Sequence, residues 1–216
     1  MPRETARLFE AAAREGTVRS HRFLGGHTAL AAWNDDAQTL ARQRAFLRGS
    51  VRIDLLRGAE GEANTSRFLR AEELRAGASL AVDVVLANER VGHRFPSGTA
   101  DVADVWVELT LRDARGALLA HSGLEGAQGT DDEEAHRLLV RPIDERGRPA
   151  LLRDPHRYRA VAFDTTVPAR AARVVRYEVS VPATARGPFV LRARLLHRRL
   201  LREYERVACE SAPREL

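Results

Sequence analysis

Ala103-Asp104-Val105-Trp106-Val107-Glu108-Leu109-Thr110-Leu111-Arg112 decides the fold. Val105, Val107, Leu109 and Leu111 fall on one side of an extended chain. Trp106, Glu108, Thr110 and Arg112 fall on the other. A period of two over this length marks a half-buried strand, because successive side chains of an extended backbone point to opposite faces. The same period recurs in 80–88, where Leu80, Val82, Val84 and Leu86 oppose Asp83. It returns at Val175, Tyr177, Val179 and Val181, and again at Phe189, Leu191, Ala193 and Leu195.

Turn signals separate these runs: Asp113-Ala114-Arg115-Gly116, Arg146-Gly147-Arg148-Pro149 and Ala185-Arg186-Gly187-Pro188. Short antiparallel strands with no helices between them predict a mainly β fold, an immunoglobulin-like β-sandwich. Roughly seven to nine strands are expected between 51 and 209. The stretch 123–136, with Asp131-Asp132-Glu133-Glu134, reads as a long polar loop. Its spacing does not match a calcium loop.

Ahead of the strands the pattern is helical. Leu8, Phe9 and Ala12 suggest a short helix over 3–15 that stops at Gly16. Leu40, Phe46 and Leu47 suggest a second helix over 35–48, with Asn34 as N-cap and Gly49 as its end. The expected organisation is an N-terminal helical and loop segment (1–50), a sandwich (51–211) and a short tail (212–216).

At 216 residues the chain is long enough for a real core. All 35 basic residues are arginine, and 30 acidic residues are interleaved with them, as in Arg141-Pro142-Ile143-Asp144-Glu145-Arg146. That interleaving predicts a solvated Arg/Glu surface and argues against nucleic-acid binding, as does the lack of an Arg cluster mixed with aromatics. Without lysine there is no phosphate-loop lysine, no Schiff base and no pyridoxal-phosphate anchor. No Gly-x-Ser-x-Gly elbow or His-Glu-x-x-His pair occurs, so autonomous enzymatic chemistry is not expected. The single cysteine, Cys209, excludes an internal disulfide and is expected near the end of the last strand as a small apolar residue. No apolar run approaches a bilayer span, and the first residues carry no signal peptide.

Two histidine motifs stand out. Ser20-His21-Arg22-Phe23-Leu24-Gly25-Gly26-His27 sets two imidazoles around Phe23 and a glycine pair. Val91-Gly92-His93-Arg94-Phe95-Pro96-Ser97-Gly98 joins His93 to a Pro-containing turn. Pro96 restricts its own φ and that of Phe95, and Gly98 permits a tight reversal. Such stiff loops can present a metal ligand, and equally a histidine that only bonds backbone. His121, His136, His156 and His197 carry weaker signals, with His197 continuing a strand face.

In order, these features resemble the C-terminal region of bacterial multihaem c-type cytochromes that end in a β-sandwich. The opening Met1-Pro2-Arg3, His21 to Gly26, Gly92 to Gly98 leading into Val105-Trp106-Val107-Glu108, and the terminal Ala193 to Arg199 followed by Arg202-Glu203-Tyr204 carry the resemblance. It implies haem c as cofactor, met non-covalently here because this chain holds no Cys-x-x-Cys-His. It implies His21 and His93 as iron ligands, with Phe23, Gly25, Gly26, His27 and Phe95 as further haem contacts. The implied function is an electron-transfer accessory domain, periplasmic or extracellular in its parent protein. It would shield haem carried by a missing N-terminal part, in which case Met1 is an internal methionine of a fragment or a misassigned start, or by a partner subunit. A sandwich that has lost its haems and mediates protein–protein contacts is the alternative.

Overall fold

The computed structural model describes residues 3–6, 11, 13–19, 24–26, 28–58, 67–126, 132, 135–150 and 153–211. The chain divides into two compact units, Met1–Arg48 and Gly49–Leu216. In the first, β1 (Arg3–Thr5) pairs antiparallel with β2 (Thr17–Arg19), so the start of the span expected to be helical is strand, while Leu8, Phe9 and Ala12 lie outside the described residues. Glu15 and Gly16 both take left-handed backbone there (φ 54° and 70°), and the chain reverses at Gly16 instead of ending a helix. Two helices follow, α1 (Ala29–Trp33) and α2 (Ala37–Leu47). The N-cap of α2 is Asp36, whose side chain accepts the Thr39 N–H at 2.9 Å. Asn34 instead ends α1, its side-chain amide donating to the Leu30 carbonyl.

The second unit contains the predicted strands. One sheet runs β10 (Ala172–Ser180), β5 (Ser79–Ala87), β3 (Arg52–Arg57), β4 (Arg67–Phe68), and the other runs β11 (Val190–Arg198), β6 (Asp104–Arg112), β7 (Leu118–Ser122). β8 (Val140–Ile143) and β9 (Ala160–Asp164) form a separate antiparallel pair. The chain changes sheet between β5 and β6 and again between β10 and β11. The orders β3-β5-β10 and β7-β6-β11 thus correspond to A-B-E and C′-C-F of the immunoglobulin scheme. The fold is mainly β, as the alternation required.

The inward rows meet in one core. Leu80, Val82, Val84 and Leu86 of β5 join Val105, Val107, Leu109 and Leu111 of β6, with Val175 and Val179 of β10. Leu191, Ala193 and Leu195 of β11 close it from the side. Burying each Val or Leu side chain contributes roughly 1.5–3 kcal/mol, so alternation and burial are one statement.

The outward row of β6 was expected to be solvated, and it is not. Asp104, Trp106, Glu108 and Thr110 are all buried. Segment 136–138, part of the expected polar loop or just after it, runs along β6: the Val107 N–H donates to the His136 carbonyl, and the Leu138 N–H to that of Val105. The Trp106 indole N–H donates to the Gly123 carbonyl at 2.9 Å. Gly123 is held at φ 62° with its Cα against β6, where an added Cβ would lie 2.3 Å from the Val107 carbonyl. Only glycine fits.

The arginines are likewise not a uniformly solvated coat. Arg176 forks onto Asp83 at 2.7 and 2.9 Å, and Arg194 onto Glu108 at 2.8 and 2.8 Å. Arg198 and Arg137 both reach Asp104. Asp83–Arg176, Glu108–Arg194 and Asp104–Arg198 are direct cross-strand partners. A planar guanidinium matches both oxygens of a carboxylate, which is what a buried acid needs.

After β11 the chain does not continue as strand. Arg202–Ser211 forms helix α3, and Cys209 lies exposed on it as a free thiol. The Arg-rich end of the chain had looked like more sheet, but Leu201, Tyr204 and Val207 recur at helical spacing and are half-buried. Among the described residues no helix is long and apolar enough to cross a membrane.

Candidate functional site

The His93 loop sits at one end of the sandwich, between β5 and β6. Asn88, fully buried just past β5, organises it. Its amide donates to the carbonyls of His93 at 2.8 Å and Val167 at 3.0 Å, while its oxygen accepts the Val91 N–H at 3.1 Å. Phe95 and Val167 exchange both backbone hydrogen bonds, at 2.9 and 2.8 Å. The Phe95–Pro96 peptide is cis, Pro96 is buried, and Gly98 takes φ 69° as its tight turn requires. Arg94 bridges to Asp164 at 3.0 Å.

On this clamped backbone His93 itself is exposed. Its Nδ1 lies 2.9 Å from the Arg94 carbonyl oxygen and 2.9 Å from Ser97 Oγ. Phe95 is half-buried against the apolar core, with its ring centroid 6.3 Å from that of His197 at an interplanar angle of 44°. Desolvation holds the His197 imidazole below the ordinary histidine range; Asp104 opposes that shift and Arg199 adds to it. Desolvation also lowers His136, helped by the Arg173 charge.

In the N-terminal unit, His21, Phe23 and His27 lie outside the described residues. Gly25 and Gly26 are described and exposed. α1 presents Leu30 and Trp33 to solvent, the indole residue at 83% exposure. Of the acidic loop, Asp132 is described, and it accepts the Gly123 N–H at 2.6 Å. Among the described residues no group of three or more His, Cys, Asp or Glu converges as a metal cage. A single exposed imidazole can still fill one position on a metal held elsewhere.

Sequence reasoning missed Asn88, which fixes the His93 backbone, and quoted Ser97 only as part of the turn, without its contact to the His93 ring. Asn88 carried one usable signal: an amide directly after a strand and ahead of a Gly-containing turn is a common local cap.

No family model matches this chain, and no curated protein matches it. The structure is similar to that of a penta-heme cytochrome c552 from Thermochromatium tepidum, with a TM-score of 0.51 and 22% identity. The likeness is one of fold. It covers 78% of this chain and 37% of the cytochrome, so the present chain spans well under half that protein's length.

Proposed function

We propose that this chain is an electron-transfer accessory region that docks on, and shields, haem carried by another polypeptide segment. The observation that carries the reading is the fold likeness to a penta-heme cytochrome, joined to the order of histidine motifs along the chain. In this reading residues 1–50 form the contact segment and 51–211 a rigid holder. His21 supplies an axial imidazole, with His93 as a second donor from the sandwich. Phe23, Gly25, Gly26 and His27 line the first contact, and Phe95 stiffens the second from its core side.

Haem iron would supply one-electron redox chemistry, and covalent attachment would come from Cys-x-x-Cys-His outside this sequence. This chain's part is to orient neutral imidazoles, exclude water from the haem edge and so tune the potential. Such a role belongs to the periplasm or the cell exterior.

The test is titration of the full chain with a c-type haem peptide that carries its own proximal histidine and one exchangeable axial position. A low-spin Soret shift is expected, reduced in amplitude by His21→Ala or His93→Ala alone and abolished when both are replaced. An unchanged spectrum refutes the reading. It would leave a haem-free sandwich chain that binds partner proteins, for which the exposed Leu30 and Trp33 of its N-terminal unit offer apolar surface.

A further inference from the structure

We propose that Asn88, Ser97 and the Arg94 carbonyl together hold His93 as its Nδ1–H tautomer, leaving the Nε2 lone pair as the metal-facing donor. This deepens the haem-docking reading and rests on it for the identity of the metal. The structural part stands on geometry alone.

A carbonyl oxygen only accepts, so the 2.9 Å contact between His93 Nδ1 and Arg94 O is a hydrogen bond only when Nδ1 carries the proton, which is the arrangement that favours this tautomer. Ser97 Oγ, also at 2.9 Å, is then a second acceptor for the same N–H, and its hydroxyl proton turns elsewhere. In a neutral ring the other nitrogen carries the lone pair. Protein metal sites use this device repeatedly: a ligating histidine gives its second N–H to a carbonyl, which fixes both tautomer and ring direction. Here the carbonyl belongs to the next residue, so ring and backbone hold each other.

That grip is useful only if the backbone is fixed, and Asn88 fixes it. Its amide holds the His93 carbonyl at 2.8 Å from a fully buried position, and the same amide ties the loop to Val167 on the facing segment. Phe95 pins the other side through paired backbone bonds to Val167. The imidazole therefore stands between two anchored points two residues apart, and is itself exposed.

The alternative arrangement is equally definite. If Ser97 donated to an unprotonated Nδ1, the proton would sit on Nε2, and the outward nitrogen could not bind a metal. Long-range ¹H–¹⁵N NMR of the labelled full chain tells the two apart at the His93 ring. The expected pattern is Nδ1–H with an unprotonated Nε2; an Nε2–H pattern overturns the proposal. Ser97→Ala, at an exposed position, is expected to weaken haem-peptide affinity roughly tenfold while leaving the Soret position unchanged, and Ser97→Thr is expected to restore it. Equal affinity of Ser97→Ala and wild type would remove Ser97 from the positioning set. The two failures remain separate: no Soret shift with an intact Nδ1–H pattern counts against haem docking, whereas the wrong tautomer counts against the ring assignment.

Discussion

Asn88→Ala is the most informative single change to the sandwich. The side chain is fully buried and makes three hydrogen bonds, to the carbonyls of His93 and Val167 and from the Val91 N–H. At about 1 kcal/mol net for each bond, losing all three should cost about 3 kcal/mol. For a unit of this size that corresponds to a fall in Tm of roughly 6–12 °C. Urea unfolding followed by the Trp106 signal and a calorimetric scan both measure it. Asn88→Asp adds a control of nearly equal shape. It replaces the donating amide with an oxygen that faces two carbonyls, so it should be the worse variant at neutral pH. The introduced carboxyl would have its pKa raised on folding. The ionisation part of its penalty is therefore absent in acid, grows above the unfolded value of about 3.9, and is complete only above the folded one, while the loss of one of the two donated bonds remains at every pH. If Asn88→Ala costs less than about 1 kcal/mol, the loop does not depend on that amide and the account of His93 presentation fails.

Three further outcomes follow from the geometry. Gly123→Ala drives a Cβ into the Val107 carbonyl and should cost more than about 3 kcal/mol, whereas Gly116→Ala, at φ 79° but with open space around it, should cost about 1 kcal/mol; equal losses in denaturant titration would contradict the packing of Gly123 on β6. Glu73, lowered to about 2 chiefly by its bond from Arg67, and Glu108, lowered chiefly by Arg194, should stabilise the fold above the ordinary carboxylate value of 4.5. That contribution is lost as pH falls below 4.5 through the folded values; Arg194→Ala should move the acid limb of a Tm–pH curve upward, and an unmoved limb would refute the coupling. Acrylamide should quench Trp33 and spare Trp106, so Trp33→Phe should leave only blue-shifted, protected emission.

The core strands were legible because the side chains that face the core alternate without interruption in β5, β6, β10 and β11. The hairpin at β1 and β2 was not, since Leu8, Phe9 and Ala12 match a helical stripe and no local residue reports the pairing of Arg3 with Arg19. α3 was hidden in the same way by the Arg-rich run that continues from β11. At the candidate site, Pro96 and Gly98 announced a stiff turn, but Asn88 is one amide among many until Val167 arrives from 79 residues away. The buried acids of β6 were invisible because a polar residue opposite an apolar row normally signals water, and here it signals an arginine on the neighbouring strand.

Those paired acids carry a consequence for how the sandwich assembles. Sliding β11 by a single residue along β6 would turn Arg194 and Arg198 to the wrong side together, taking from Glu108 its arginine and leaving Asp104 to Arg137 alone. Apolar neighbours tolerate such slippage poorly, whereas stranded charges forbid it, at several kcal/mol apiece. The sheet thus has a key cut into its outer surface: many hydrophobic sequences could fill the interior, but few alignments turn the lock.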